Sequence, residues 1–277
     1  MKPFIDSIIR NLHLPELASA HGYEIDYLLA LVHILMFLLF VGWGIFFIYC
    51  LIRFRSSRQP KADYQGVRHH LSSWLEFGVA MFEAVLLVGF AIPVWAHWTQ
   101  ELPAQKDAVA VRIVAQQFAW NVHYPGKDGI FGKTAIEYVN EQTNPVGLDP
   151  NDPAARDDIV TVNQLHLPVN RPARIEITSK DVIHSFFLPE MRVKQDAIPG
   201  LKVPVGFTPT VTTAEMRQRK GNEKFNYEIA CAQLCGNSHY RMRGFMTIDS
   251  QEGFEAWLAS QTPVMAAGQG EEESEYE

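Results

Sequence analysis

A chain of 277 residues with a net charge of −7 has room for one large or two modest domains, and nothing in it resembles a basic nucleic-acid surface. The average hides two regions: residues 1–98 carry seven basic and seven acidic side chains and nearly all the long apolar runs, whereas residues 99–277 carry 17 basic and 24 acidic ones. The cysteines are Cys50, Cys231 and Cys235, and no Cys-x-x-Cys-His run occurs, so a covalently attached c-type haem is not expected here.

Residues 1–26 mix apolar and charged positions, with a short interfacial helix expected around Phe4–Leu12. No small-residue cleavage site follows a short apolar core, so a removed signal peptide is not expected. From Tyr27 to Ile52 run 26 residues without Asp, Glu, Lys or Arg. A hydrocarbon core of ~30 Å needs about 20 helical residues, so this segment spans a membrane with some tilt. His33 reads as a packed neutral imidazole, and Cys50, at the end of the span, as a small hydrophobe. The next loop holds Arg53, Arg55, Arg58, Lys61 and Arg68 against Asp63 alone, which by the positive-inside rule makes it cytoplasmic. Both termini, and everything after Trp98, then lie outside. A second span is expected from Trp74 to Trp98, with Trp74, Trp95 and Trp98 as interfacial anchors. Glu76 and Glu83, seven residues apart, share a face of it, Glu83 ~10 Å deeper. A carboxylate at that depth is costly in lipid, so the face should point into protein: Glu76 snorkels to the interface and Glu83 meets a partner subunit.

After Pro103 the pattern turns to short alternating runs: VAVRIVAQQFAWNVHY, ARIEITSKDVIHSFFLP, KVPVGFTPTVTTAEM, KFNYEIACAQLC and GFMTIDS. Alternation broken by Gly, Pro and Asn predicts half-buried antiparallel strands, about seven or eight of them, closing a small β-barrel. Between Pro125 and Asn163 a polar stretch reads as a surface insertion of loops. Its acids (Glu137, Glu141, Asp149, Asp152, Asp157, Asp158) make either a solvated face or a docking surface for a basic redox protein. A last helix, Gln251–Leu258, starts from an N-cap at Ser250 and lids the barrel. The tail, with five acids in Glu271–Glu277, is expected to be disordered.

The densest chemistry is CAQLCGNSHYRM, Cys231 to Met242, which offers two thiols, the His239 imidazole and the Met242 thioether. His184, in DVIHSFFLP, precedes Cys231 by 47 positions, a separation that neighbouring strands of a Greek key tolerate. Such soft ligands suit copper and would be ignored by magnesium or calcium. Two cysteines outside the cytosol also form disulfides, and His184, Cys231, Cys235 and His239 also make a four-ligand zinc site. The zinc reading leaves Met242 unexplained, because a thioether is a poor zinc ligand and a recurrent weak axial ligand of copper.

Those residues carry a resemblance. C-A-Q-L-C-G-N-S-H-Y-R-M with its upstream D-V-I-H-S-F resembles the binuclear copper (CuA) motif of subunit II of cytochrome c oxidase, in the haem–copper oxidase superfamily. Gln116–Gly126, Lys194–Gly200 and the paired spans match in the family's order. The predicted architecture is thus a membrane α-helical hairpin of two transmembrane helices (27–98) carrying an all-β cupredoxin-like Greek-key barrel (99–262). An N-terminal exported segment (1–26) and an acidic disordered tail (263–277) flank them. Carried over by residue, the resemblance makes Cys231 and Cys235 bridging ligands and gives each copper one imidazole, from His184 and His239. Met242 is then one axial ligand and the backbone carbonyl of Gln233 the other. Many relatives have Glu at that last position, where the carboxylate also serves a magnesium site. Gln233 keeps the carbonyl but is a weaker magnesium ligand, and magnesium is left unclaimed.

The resemblance also implies a role. The chain would take up electrons from a c-type cytochrome or equivalent donor and pass them to the haem and copper centres of catalytic subunit I. Those centres reduce oxygen to water with proton translocation, in a bacterial inner membrane. No haem is expected in this chain, which lacks the many membrane helices and histidines that oxygen chemistry would need. In the family's Q-W-x-W stretch the first Trp marks electron uptake, a position held here by Phe118, with Trp120 at the second. An acid at the cytoplasmic end of the second span is associated with proton uptake, but Leu71 stands at its usual place and leaves Glu76 and Glu83 as candidates. The alternative is a membrane-anchored copper carrier or assembly factor, for which six ligands closing two metals are too many. Quinol-oxidase relatives lack the copper ligands.

Overall fold

The computed structural model describes residues 2–61, 64–65, 70–100 and 102–267, which form two compact units. Asp63, Arg68 and the acidic run 271–277 lie outside the described residues.

The first unit (2–14 and 23–98) is helical. Helix α1 spans Lys2–Asn11, and α2 spans Gly22–Arg53. The charge-free stretch therefore understates α2 at both ends. Glu24 sits in its first turn and Arg53 in its last, where each complements the helix dipole. The second span starts at Leu71, three residues before its predicted beginning. It runs as α3 (Leu71–Leu86), a π-helical turn (Leu87–Ala91) and α4 (Ile92–Gln100). The Ile92 N–H donates to the Leu87 carbonyl, five residues back, and the ring nitrogen of Pro93 cannot donate at all, so the helix widens there. Both spans are long and apolar enough to cross a membrane.

The second unit (15–22 and 99–267) is built on two five-stranded sheets. In the first the order is β3 (Ile159–Val162), β2 (Ala119–Tyr124), β1 (Val109–Gln116), β5 (Ala173–Ser179), β8 (Val203–Phe207). In the second it is β4 (Gln164–Pro168), β10 (Arg243–Asp249), β9 (Tyr227–Cys231), β6 (His184–Leu188), β7 (Val193–Ala197). The pairs β1/β5 and β4/β10 are parallel and the others antiparallel. The predicted alternation is visible in β1 and β5, where every second residue is buried. Val111, Ile113, Ile175 and Ile177 from one sheet meet Leu165, Leu167, Ile229 and Ile248 from the other in a single core. The result is the two-sheet β-sandwich of a cupredoxin, its sheets facing each other across one core in place of a hydrogen-bonded closed barrel.

Among the described residues ten strands form where seven or eight were expected. Ile159–Val162 lies within the stretch read as loops, and Val193–Ala197 is an edge strand whose exposed Lys194 and Asp196 mask its alternation and block further pairing. The run TVTTAEM is not a strand. It opens α5 (Thr213–Lys220), with the Glu215 N–H donating to Thr212 Oγ1 (3.1 Å) and Gly221 closing it at φ 58°.

Residues 15–22, grouped by sequence with the N-terminal segment, pack on this unit. Ala18 is fully buried, its N–H donates to Glu190 O (2.9 Å), and Ser19 Oγ donates to Met191 O (2.7 Å). Residues 263–267, grouped with the tail, pack as well: Val264 is buried beside Val146, Leu148 and Ala155, and its N–H donates to Asp158 O (3.0 Å). Helix α6 (Gln251–Ser260) starts at the Ser250 cap and stacks Trp257 on His166 with ring centres 3.9 Å apart.

The acids of the 125–163 insertion prove mostly engaged within the domain. Asp158 is buried, pairs with His123 Nε2 (2.6 Å), and accepts from the Gly126 (3.2 Å) and Gly132 (2.8 Å) N–H groups. Asp157 and Asp152 accept backbone N–H groups too, and Glu141 pairs with Lys180 at 3.1 Å.

Candidate metal centre

Strand β6 begins at His184 and β9 ends at Cys231. Their antiparallel register sets Phe186 opposite Cys231, and Ala232 N–H donates to Ser185 O (2.9 Å). That pairing brings residues 47 positions apart together, with 3.9 Å between His184 Nδ1 and Cys231 Sγ. The chain then folds back through a loop and the short 3-10 turn His239–Arg241, which puts His239 Nδ1 at 3.6 Å and Met242 Sδ at 3.7 Å from Cys235 Sγ. The two sulfurs are 3.8 Å apart, and the Gln233 carbonyl lies 3.2 Å from Cys231 Sγ. A disulfide needs ~2.05 Å, so the thiols are free. The tightness of the loop rests on Gly236, at φ 137°. A Cβ there would lie 2.8 Å from Gln117 Nε2 and 3.1 Å from Phe118 Cζ.

The six predicted donors are thus gathered in one chain of contacts, each sulfur with its own imidazole and one further donor. His184, Cys235 and Met242 are buried, and Cys231 is half-buried. Two sulfurs 3.8 Å apart are close enough for both to bond a common ion at ~2.3 Å. Thiolate, imidazole and thioether donors fit copper.

Asp181 is the residue that sequence reasoning missed. Its Oδ1 lies 2.9 Å from His184 Nε2, and its Oδ2 accepts the Gln117 N–H at 2.7 Å. By holding the far nitrogen, Asp181 fixes the tautomer and aims Nδ1 at Cys231, as carboxylates behind metal-binding imidazoles do. The signal was legible in DVIH, an acid three residues before the histidine. Gln117 also clamps the loop from the side, its Nε2 donating to Cys235 O at 2.6 Å.

Burial pulls the Cys231 thiol up, but hydrogen bonds with His184, Ser185 and Gln233 outweigh it and bring the group down to about 6. Cys235 is pushed up to about 11 by burial and by the charge on Cys231. The first proton leaves readily and the second is retained until something replaces it, as a metal cation does. Burial opposes charge on His184 too, yet its contacts with Cys231 and Asp181 raise it above the ordinary range.

The aromatic pair divides. Trp120 is fully buried, its ring 6.1 Å from that of His184 and 5.5 Å from that of Phe186. Phe118 sits in the turn between β1 and β2, half-buried against the copper-type loop at Gly236, so the two do not share one strand face. Glu76 and Glu83 belong to the helical unit.

A β-sandwich that brings two thiols, two imidazoles, a thioether and a carbonyl into contact has the donor arrangement of a cupredoxin-type domain. Its His184, Cys231 and Cys235 are close enough to hold one ion, and a pair of membrane-length helices precedes it in the chain. The family model for the periplasmic domain of cytochrome c oxidase subunit II matches residues 109–249, half of the chain. An alternative cytochrome c oxidase subunit 2 of Bradyrhizobium diazoefficiens is 31% identical over 262 residues, covering 93% of this chain and 88% of that protein. A cytochrome c oxidase subunit 2 of Synechocystis is 24% identical over 275 residues, covering 91% and 76%. Among solved structures, the periplasmic domain of subunit II of cytochrome oxidase from Bradyrhizobium japonicum is similar at 25% identity. It covers 57% of this chain and 95% of that one, with a TM-score of 0.39. The chain belongs to the cytochrome c oxidase subunit II family, whose members are subunits of haem–copper oxidases.

Proposed function

We propose that this chain is the electron-uptake subunit of a terminal respiratory oxidase. Its cluster holds a binuclear CuA centre that takes electrons from a c-type cytochrome or equivalent donor and hands them to the haem and copper centres of the catalytic subunit. The observation that carries the reading is the two-fold pattern of donors. His184 and the Gln233 carbonyl attend Cys231, His239 and Met242 attend Cys235, and the sulfurs stand between. One ion would use half of that set. Copper bound there supplies reversible one-electron transfer. The chain's own residues keep the ligands still while that happens: Asp181 orients His184, Gln117 clamps the Cys235 carbonyl, and Trp120 and Phe186 pack the site against water.

The burial of His184, Cys235 and Met242 favours retention of metal over delivery, so the carrier reading is set aside. Gln233 offers no carboxylate for magnesium. In the membrane, the basic loop is assigned to the cytoplasmic side and the β unit, with both termini, to the periplasmic side of a bacterial inner membrane. Glu76, five residues into α3, is the candidate for proton uptake near that loop. Metal analysis with a visible spectrum tests the assignment: two coppers per chain, no zinc, and the absorption of a mixed-valence pair are expected. One copper or stoichiometric zinc would sink it.

A further inference from the structure

Glu83 lies twelve residues into the apolar run Leu71–Thr99, about 18 Å from its start and within a turn of its middle. The register of the hairpin agrees. The Trp98 indole N–H donates to Glu24 at 2.9 Å, and counting inward along both helices from that pair sets Glu83 level with Leu39, at the centre of α2. At that level the helices leave a groove of about 640 Å³, walled by Val32, Met36, Leu39, Phe40 and Trp43, with Glu83 the one ionisable group lining it.

Among the described residues no hydrogen bond or ion pair reaches the Glu83 carboxyl. Hydrocarbon supplies neither donor nor counter-charge, and an acyl chain in the groove would fill the volume while leaving the carboxyl unsatisfied. The site therefore combines an apolar groove wide enough for a neighbouring helix with one acceptor deep in the span, the Glu83 carboxyl, that needs a donor.

We propose that the groove seats a membrane helix of the partner oxidase subunit, and that this helix presents a hydrogen-bond donor, either a hydroxyl or a cation, to Glu83 at the middle of the bilayer. The inference rests on the reading above that the chain works in a multisubunit oxidase. It makes Glu83 a docking residue, distinct from any proton-uptake group near the cytoplasmic loop.

The test uses the whole oxidase purified through a tag on this chain, as wild type, Glu83→Leu and Glu83→Gln, washed with increasing detergent. Glu83→Leu suits hydrocarbon and inserts at least as well as the native span, so its effect is not a failure to enter the membrane. The expected result is that Glu83→Leu loses most of the copurifying catalytic subunit. Retention of that subunit by Glu83→Gln identifies a hydroxyl-type donor; loss as severe as in Glu83→Leu identifies a cation. A Glu83→Leu complex as intact as wild type at every detergent concentration overturns the proposal. The absorption of the copper centre is read on the same preparations. Its absence from the wild type would defeat the electron-uptake reading and leave the docking result standing.

Discussion

Cys231 and Cys235 differ in their surroundings, one drawn down and the other pushed up in its proton affinity, and the proposed two-copper centre would need both, so each is open to a sharp test. Cys231→Ser or Cys235→Ser is expected to lose the two-copper centre and oxidase turnover while the domain stays folded, because serine nearly matches cysteine in volume and most of the core is supplied by the strands of the two sheets. A single-serine variant that still carries two coppers per chain would refute the bridging assignment. Met242→Leu should be milder, shifting the redox potential more than the copper content, since an axial thioether tunes more than it holds. Asp181→Asn keeps the shape behind His184 but weakens its grip on Nε2, 2.9 Å away. Loss of such an outer partner typically costs about 10–100-fold in metal affinity. Competition with a chelator should show a drop of that order, and an unchanged affinity would mean that packing alone orients His184. The two thiols, His239 and Met242 stand out in the sequence as soft groups within one twelve-residue run, whereas the Gln233 carbonyl is named only through the family resemblance. The structure brings these groups and His184 into contact. Asp181 was passed over although DVIH spells it out, because an acid near a histidine is common and only the fold shows which nitrogen it touches.

At the scale of elements, the strands with clean alternation were legible, and those with another constraint were not. β1 and β5 bury every second side chain and read correctly, whereas β7 carries charges for its exposed edge and is missing from the predicted strand runs. The start of α5 was written in the sequence as T-x-x-E, Thr212 to Glu215, but the β-branched run before it pulled the reading towards a strand. The insertion looked solvated because a buried acid has the same letter as an exposed one, and Asp158 is held by His123 just before the stretch and by Gly126 and Gly132 within it. Two of these packed elements enclose neutral imidazoles. Burial lowers His123 despite the hydrogen bond that its ring makes to the Asp158 carboxylate, and burial lowers His166, which lies under Trp257 of α6. A folded-state value below the unfolded one means that the unfolded chain binds more protons. Stability contributed by the neutral rings is therefore complete above the ordinary histidine range near 6.5 and is lost as the pH falls through the lowered folded values. The melting temperature of the β domain should fall between pH 7 and pH 5. His166→Phe, which keeps the stack on Trp257 and cannot titrate, should make that fall shallower. An identical slope in the variant would remove His166 from the account.

At the scale of the whole molecule, charge decides how a donor arrives. Residues 99–277 carry 24 acidic and 17 basic side chains. Several of the insertion acids are occupied, but chiefly by neutral N–H groups, and a carboxylate hydrogen-bonded to a neutral donor still contributes its full charge to the long-range field. The domain should accordingly steer a basic cytochrome c from a distance, while contact is made elsewhere. The copper loop itself presents apolar groups, Leu234 at 78% and Tyr240 at 81% exposure, with Phe118 half-buried just beneath the loop. Steering and docking are then separable. Turnover with a basic cytochrome c should slow as ionic strength rises through about 0.1 M, where the screening length falls to ~10 Å. Phe118→Ala should impair electron uptake more than copper content at every salt concentration, because it removes a contact with Gly236 in the loop and no charge. Stopped-flow reduction of the copper centre over a salt series, for wild type and Phe118→Ala, separates the two effects. A wild-type rate independent of salt defeats the steering argument, and a variant with unchanged rates at full copper loading defeats the role given to Phe118, with the metal assignment intact in either case.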